Sequence, residues 1–234
     1  MKAESKYEKY YNLLIGEIIN ARMHFGLYKR LQEARKDYFD ELNQAPGFFS
    51  FTIKAHLDAG LMHVSRLLKK QTGSITVWKF LDFIENNLDL FSTKAFSQRM
   101  AKDSFYENQV KSHRPVSLED VENHRNQLLN FRQVIENIIT WRDKKGAHID
   151  EKFGLRQVDV FRDFPIKLAE LEELTRAIAN ILNTYSSAYN SSSYSIDMVG
   201  ADDVEVVLDA IRVQLEQYEK QFEEEKRRLG LETN

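Results

Sequence analysis

Apolar residues recur at steps of three and four along most of this chain, the spacing that gathers side chains on one face of a helix. Leu14, Ile18, Ala21, Phe25, Tyr28 and Leu31 make one such stripe. Phe49, Ile53, Leu57, Leu61, Val64 and Leu68 make a second, and Val77, Phe80, Leu81, Ile84 and Leu88 a third. Punctuation is sparse, with 9 glycines and 3 prolines in 234 residues. A many-stranded sandwich or barrel needs turn residues far more often, and no convincing strand is legible. The expected fold is all-α, an antiparallel helical bundle with an extra C-terminal amphipathic helix.

Six helices are expected. The first covers about 5–42 and ends at Pro46-Gly47; the second covers 48–70, closed by Thr72-Gly73; the third covers 76–91 with Thr76 as N-cap. Residues 92–116 lack periodicity and hold five cations against two carboxylates, so they read as a long loop with at most one short helix. Such a loop is either functional or a tolerated surface insertion. Ser117 and Asp120 resemble a capping box opening a fourth helix that continues to Lys145 or Gly146. A fifth follows Asp163-Phe164-Pro165 and reaches about Tyr185, and 186–195 reads as a Ser/Tyr/Asn linker. The last starts at Asp202, capped by Glu205, and carries Val204, Leu208, Ile211, Leu215, Tyr218 and Phe222 as a seam that wants a partner surface. The expected organisation is a bundle over 1–190, a linker over 191–201, and a helix over 202–234 packing on the bundle or on a second copy.

Several function classes are excluded. With no cysteine there is no disulfide scaffold, thiolate metal site or cysteine nucleophile. A net charge of −3 does not suit generic coating of phosphates, so any nucleic-acid contact must be local. Gly-rich phosphate loops and nucleophile elbows are absent from the sequence. His56 and His63 sit seven residues apart rather than the four usual for helical zinc pairs, so no metal or other cofactor is expected. The charged residues 1–11 do not resemble a signal peptide, and Lys54, Arg132 and Glu136 interrupt the most apolar stretches. A cytoplasmic protein without membrane contact is the expectation.

One helix breaks its own pattern. At about 100° per residue from Leu128, the residues Phe131, Val134, Ile135, Ile138, Ile139 and Trp141 fill an apolar arc centred near 300°. Arg142 falls near 320° and Lys145 near 260°, both inside that arc. A guanidinium in an apolar interior must be paired, snorkelling or facing a wet cleft. His148 follows after Gly146, a residue suited to a helix end that could swing the imidazole toward Arg142. Arginine's donor fork matches phosphate oxygens, and histidine both takes and gives a proton near neutral pH. Together they suffice for metal-free RNA cleavage by attack of a ribose 2′-OH on the adjacent phosphorus. The same residues also fit an ordinary basic helix end.

The segment from Trp141 to Asp150 resembles the signature of the HEPN superfamily: an arginine, a polar residue after it, then a histidine. Arg142, Asp143 and His148 fill those places, with five residues between Arg142 and His148. The fuller pattern, with Val64-Ser65-Arg66-Leu67 on an earlier helix, resembles the AbiU-type abortive-infection branch over about 10–185. The resemblance implies a bundle that dimerises so that two motif copies share one cleft, and a metal-independent endoribonuclease used in phage defence or a toxin–antitoxin system. On that basis Arg142 would bind and stabilise the phosphate, His148 would act in proton transfer or contact the scissile group, and Asp143 would orient one of them. Lys144 and Lys145 are further candidates for phosphate contact. Asp150 stands where the nucleotidyltransferase-paired branch has a tyrosine, so regulation by modifying that residue is not expected. The implied partners are RNA, a second copy of the chain, and an antitoxin or defence-system protein. A non-catalytic dimeric HEPN module that binds RNA or protein is the rival reading.

Overall fold

A computed structural model of the chain describes residues 2–101, 106–146, 160–195, 200 and 202–230. These are overwhelmingly helical, with no strand among the described residues. The helices group into two compact units, 1–23 with 58–197 and 24–57 with 198–234. The divisions fall inside α1 (Ala3–Glu33) and α3 (Pro46–Leu68), so each of these helices supplies residues to both units.

In the first unit, α1 and α3 contribute Leu14, Ile18, Val64 and Leu67 to the core. Thr76 caps α4 (Val77–Glu85) by accepting from the Lys79 amide at 3.3 Å. The α-helix stops at Glu85, short of the expected 91, and a 3-10 turn covers Leu88–Phe91. The ladder ends at Asn86, whose amide still bonds the Asp82 carbonyl at 3.3 Å, while the Asn87 amide turns to the Ile84 carbonyl at 2.9 Å and the Asn86 and Asn87 side chains donate to the Asp82 and Phe83 carbonyls at 2.6 and 2.8 Å. The capping box at Ser117 is present: the Asp120 amide donates to Ser117 Oγ at 3.1 Å and the Ser117 amide to Asp120 Oδ2 at 2.9 Å. The helix it opens does not run unbroken to 146. It divides into α7 (Leu118–Leu129) and α8 (Arg132–Trp141), with a tight turn in which the Phe131 amide bonds the Leu128 carbonyl at 3.1 Å.

The expected loop over 92–116 instead contains α5 (Thr93–Met100) and α6 (Tyr106–Ser112). Of its cations Arg99 is engaged in packing, whereas Lys94, Lys111 and Arg114 are exposed. Arg99 lies 3.9 Å over the Tyr189 ring and donates to the Tyr189 carbonyl at 2.8 Å. His113 stacks on Phe96 at 4.2 Å, and Arg114 pairs with Asp120 at 2.8 Å. After α9 (Val160–Asp163), α10 spans Leu168–Asn190 and ends at Ser191 in the left-handed region, φ 58°. Residues 186–190 are therefore helix rather than linker. Burial decided this: Tyr185, Ser186, Ala188 and Tyr189 all face the core, and packing overrides weak local propensity. Tyr7, Phe91 and Tyr189 close that core, with Tyr7 4.3 Å from Tyr189 and 5.3 Å from Phe91 between ring centres.

In the second unit, the chain turns at Glu33 instead of continuing to 42, and α2 covers Phe39–Leu42. A straight helix would carry Leu42 about 16 Å along the axis from Leu31. The turn brings both into one cluster with Phe49, Ile53 and Leu208. Pro46 does not merely end a segment; it occupies the first turn of α3, where its missing amide costs nothing. The terminal helix α11 (Asp203–Leu229) is anchored by fully buried Leu208, flanked by Val204 and Ile211, whereas Tyr218 and Phe222 farther along are exposed. Glu205 does not cap this helix: it and Asp202 pair with Arg30 at 3.4 and 3.1 Å.

Candidate functional site

The end of α8 carries the polar residues that the apolar arc singled out. Ile135, Ile138 and Trp141 are buried, and Trp141 Nε1 donates to the Phe164 carbonyl at 3.1 Å. The α-helix closes at Trp141, and Arg142–Gly146 form a single π turn. Such widened turns re-aim side chains and occur often at functional sites.

Arg142 keeps a quarter of its side chain exposed and is paired: its NH1 donates to Asp143 Oδ1 at 2.9 Å. Asp143 in turn accepts from Lys69 Nζ with both oxygens, at 2.6 and 2.9 Å. Partial burial pushes the Asp143 carboxyl upward, but hydrogen bonds and charge from Lys69 and Arg142 outweigh it and hold the group below its ordinary range. The carboxylate stays ionised between two cations.

Beside this triad opens a cavity of about 310 Å³, bordered by Arg142, Lys69, Arg66, Glu17 and the apolar side chains of Leu13, Leu14 and Ile75. Glu17 Oε2 accepts from His63 Nδ1 at 2.8 Å and lies 3.6 Å from Arg66 NH1. Three cations from two stretches of chain, the end of α3 and the π turn after α8, thus meet at one cavity, with Glu17 and Asp143 between them.

Of the residues singled out by sequence, Arg142 and Asp143 are brought together here. Lys144 is half-buried within the π turn. The Lys145 side chain and all of His148 lie outside the described residues. Lys69 and Glu17 were not singled out by sequence, and Arg66 was named only within the Val64-Ser65-Arg66-Leu67 element, without a chemical role. Arg66 carried a signal, since it interrupts the apolar run Val64 to Leu68. Lys69 carried none, because its meaning comes from a residue 74 positions away.

The other histidines have local partners. His124 Nδ1 meets the Tyr185 hydroxyl at 2.8 Å, and in the second unit the Nδ1 atoms of His24 and His56 are 2.9 Å apart. Among the described residues no group of three His, Asp or Glu side chains is placed to hold a metal ion. No helix among them is long and apolar enough to cross a membrane.

The all-helical bundle of the described residues fits a HEPN-like architecture. The chain belongs to the AbiU2 family, the abortive-infection type of HEPN domain, whose family model matches residues 4–209. No curated protein and no solved structure matches the chain.

Proposed function

We propose that this protein is a metal-independent endoribonuclease acting in phage defence or a toxin–antitoxin system, with its active cleft formed by two copies of the chain. The observation that carries this reading is Arg142: a cation at the end of an apolar helix, held by Asp143 and facing a cavity that two further cations border. In the reaction Arg142 binds the scissile phosphate and stabilises charge as it develops on the equatorial oxygens. His148 takes the 2′-OH proton or protonates the 5′ leaving oxygen. The 2′ oxygen attacks phosphorus, the bond to the 5′ oxygen breaks, and a 2′,3′-cyclic phosphate remains. Asp143 orients the guanidinium, and Lys144 and Lys145 hold flanking phosphates.

Full-length protein incubated with RNA in EDTA should cut it and leave 2′,3′-cyclic phosphate ends. Arg142→Ala and His148→Ala should each abolish cutting while the fold and the oligomeric state persist. Cleavage that survives His148→Ala removes that residue from the mechanism. Absence of cleavage by the parent on every RNA tested refutes the enzyme reading in favour of a binding module.

A further inference from the structure

The cavity beside Arg142 has the build of a ligand site rather than a packing defect. Its volume of about 310 Å³ lies at the lower end of the range for small-molecule pockets, roughly 300–1,000 Å³, which suits one nucleotide and not two. Its lining combines the apolar side chains of Leu13, Leu14 and Ile75 with the cations Arg66, Lys69 and Arg142. Gln71 and Ser74 add an amide and a hydroxyl able to meet the edge of a base.

The two carboxylates organise these cations without cancelling them. Asp143 grips Lys69 with both oxygens and also holds Arg142, while Glu17 lies against Arg66 and His63. Three cations against two carboxylates leave a net positive charge. The three cationic groups are held before any ligand arrives, which lowers the entropic cost of gathering them around an anion. Arg66 and Arg142 offer donor forks and Lys69 a point charge, the combination that recognises a phosphate.

We infer that this cavity is a mononucleotide subsite, a reading that rests on the ribonuclease proposal for its place on the substrate. It takes the nucleotide next to the scissile phosphodiester, with the phosphate against Arg66, Lys69 and Arg142 and the base against Leu13 and Ile75. Arg66 is here a binding residue contributed by α3, distinct from the Arg142 motif.

The test uses full-length protein, titrated calorimetrically with nucleoside 3′-monophosphates, with inorganic phosphate, and with a hexanucleotide made uncleavable by 2′-O-methylation. Arg66→Gln is the first variant, because more than half of that side chain is exposed and the fold does not depend on it. Ser74→Leu, which fills the base side, is the second. Arg66→Gln should weaken both the monophosphate and the oligonucleotide at least about tenfold, the loss expected of one charge-assisted contact, and Lys220→Gln should leave both unchanged. Ser74→Leu should weaken nucleotides while sparing inorganic phosphate. Monophosphate affinity unchanged in Arg66→Gln, or equal loss in Lys220→Gln, overturns the subsite even if RNA is still cut. If monophosphates bind in an Arg66-dependent way and no RNA is cut, nucleotide recognition stands and the ribonuclease reading falls. If the monophosphate binds but the oligonucleotide does not, the site serves free nucleotides and its place on an RNA substrate is refuted.

Discussion

Asn137 offers the sharpest stability test of how the motif helix is held. The residue is 6% exposed, although the helical wheel puts it near 180°, off the apolar arc. The reason is visible in its bonds: Nδ2 donates to the Pro165 carbonyl at 2.8 Å, and Oδ1 accepts from Gln133 Nε2 at 3.0 Å. One turn later Trp141 holds the neighbouring Phe164 carbonyl, so two side chains clamp the segment before α10 onto the turn that precedes Arg142. Asn137→Ala removes the donor and leaves a carbonyl in a poorly hydrated place, a loss of about 1–3 kcal/mol. For a chain of this size each kcal/mol moves Tm by about 2–4 °C, so the variant should melt about 2–12 °C lower. Arg132→Ala is the matched control on the same helix, because Arg132 is exposed and pairs only with exposed Glu136, so its loss should stay within about 0.5 kcal/mol. Differential scanning calorimetry of both variants decides the matter. An Asn137→Ala protein melting with the parent, or an Arg132→Ala protein melting equally low, would refute the clamp.

Leu208→Ala should cost about 2–5 kcal/mol, since Leu208 is the buried anchor of α11, and the cost should appear locally as lost amide-exchange protection across Asp203–Leu229. Unchanged protection there would show that the helix is held by its ion pairs instead. Stability should also fall as pH drops below about 6.5, because burial holds both His56 and His124 under their ordinary value of 6.5. The unfolded chain then takes protons first, so the contribution is complete above that value and is lost as pH falls through it toward the folded values. His124→Gln and His56→Gln should each flatten the slope of Tm between pH 7 and about pH 5; a slope unchanged in both would refute this origin.

Features set by neighbouring residues were legible in the sequence, and features set by distant ones were not. The capping box at Ser117 and the cap at Thr76 depend on residues three apart, so composition and spacing reveal them. The all-helical class followed from periodicity repeated over many turns. Helix ends set by packing were missed: α10 outruns a serine-rich stretch because Tyr189 has a core to enter, and α1 stops early because Leu31 and Leu42 share one cluster. Asn137 was missed for a similar reason, as its partner is a backbone carbonyl 28 residues on. At the site, Arg142 stood out as a charge on an apolar face. The pairing that makes such a charge tolerable, from Asp143 beside it and Lys69 far upstream, became visible only in three dimensions.

That pairing also settles what kind of electrostatic object the site is. Arg142 with Asp143 alone would be a neutral pair, of little use to an anion. Lys69 changes the balance, because the carboxylate now answers to two cations and the triad carries net positive charge. The same two cations hold the Asp143 carboxyl below its ordinary range, so the triad does not drift in charge near neutral pH. Under the proposed function, an incoming phosphate would take over donors from Asp143 while the carboxylate keeps part of its own bonding, so that binding would be an exchange of partners rather than a desolvation of free charges. A cation thus lies partly buried at the tip of an apolar helix because its charge is paired there, and the proposed function takes that pairing as the arrangement an anionic ligand would displace.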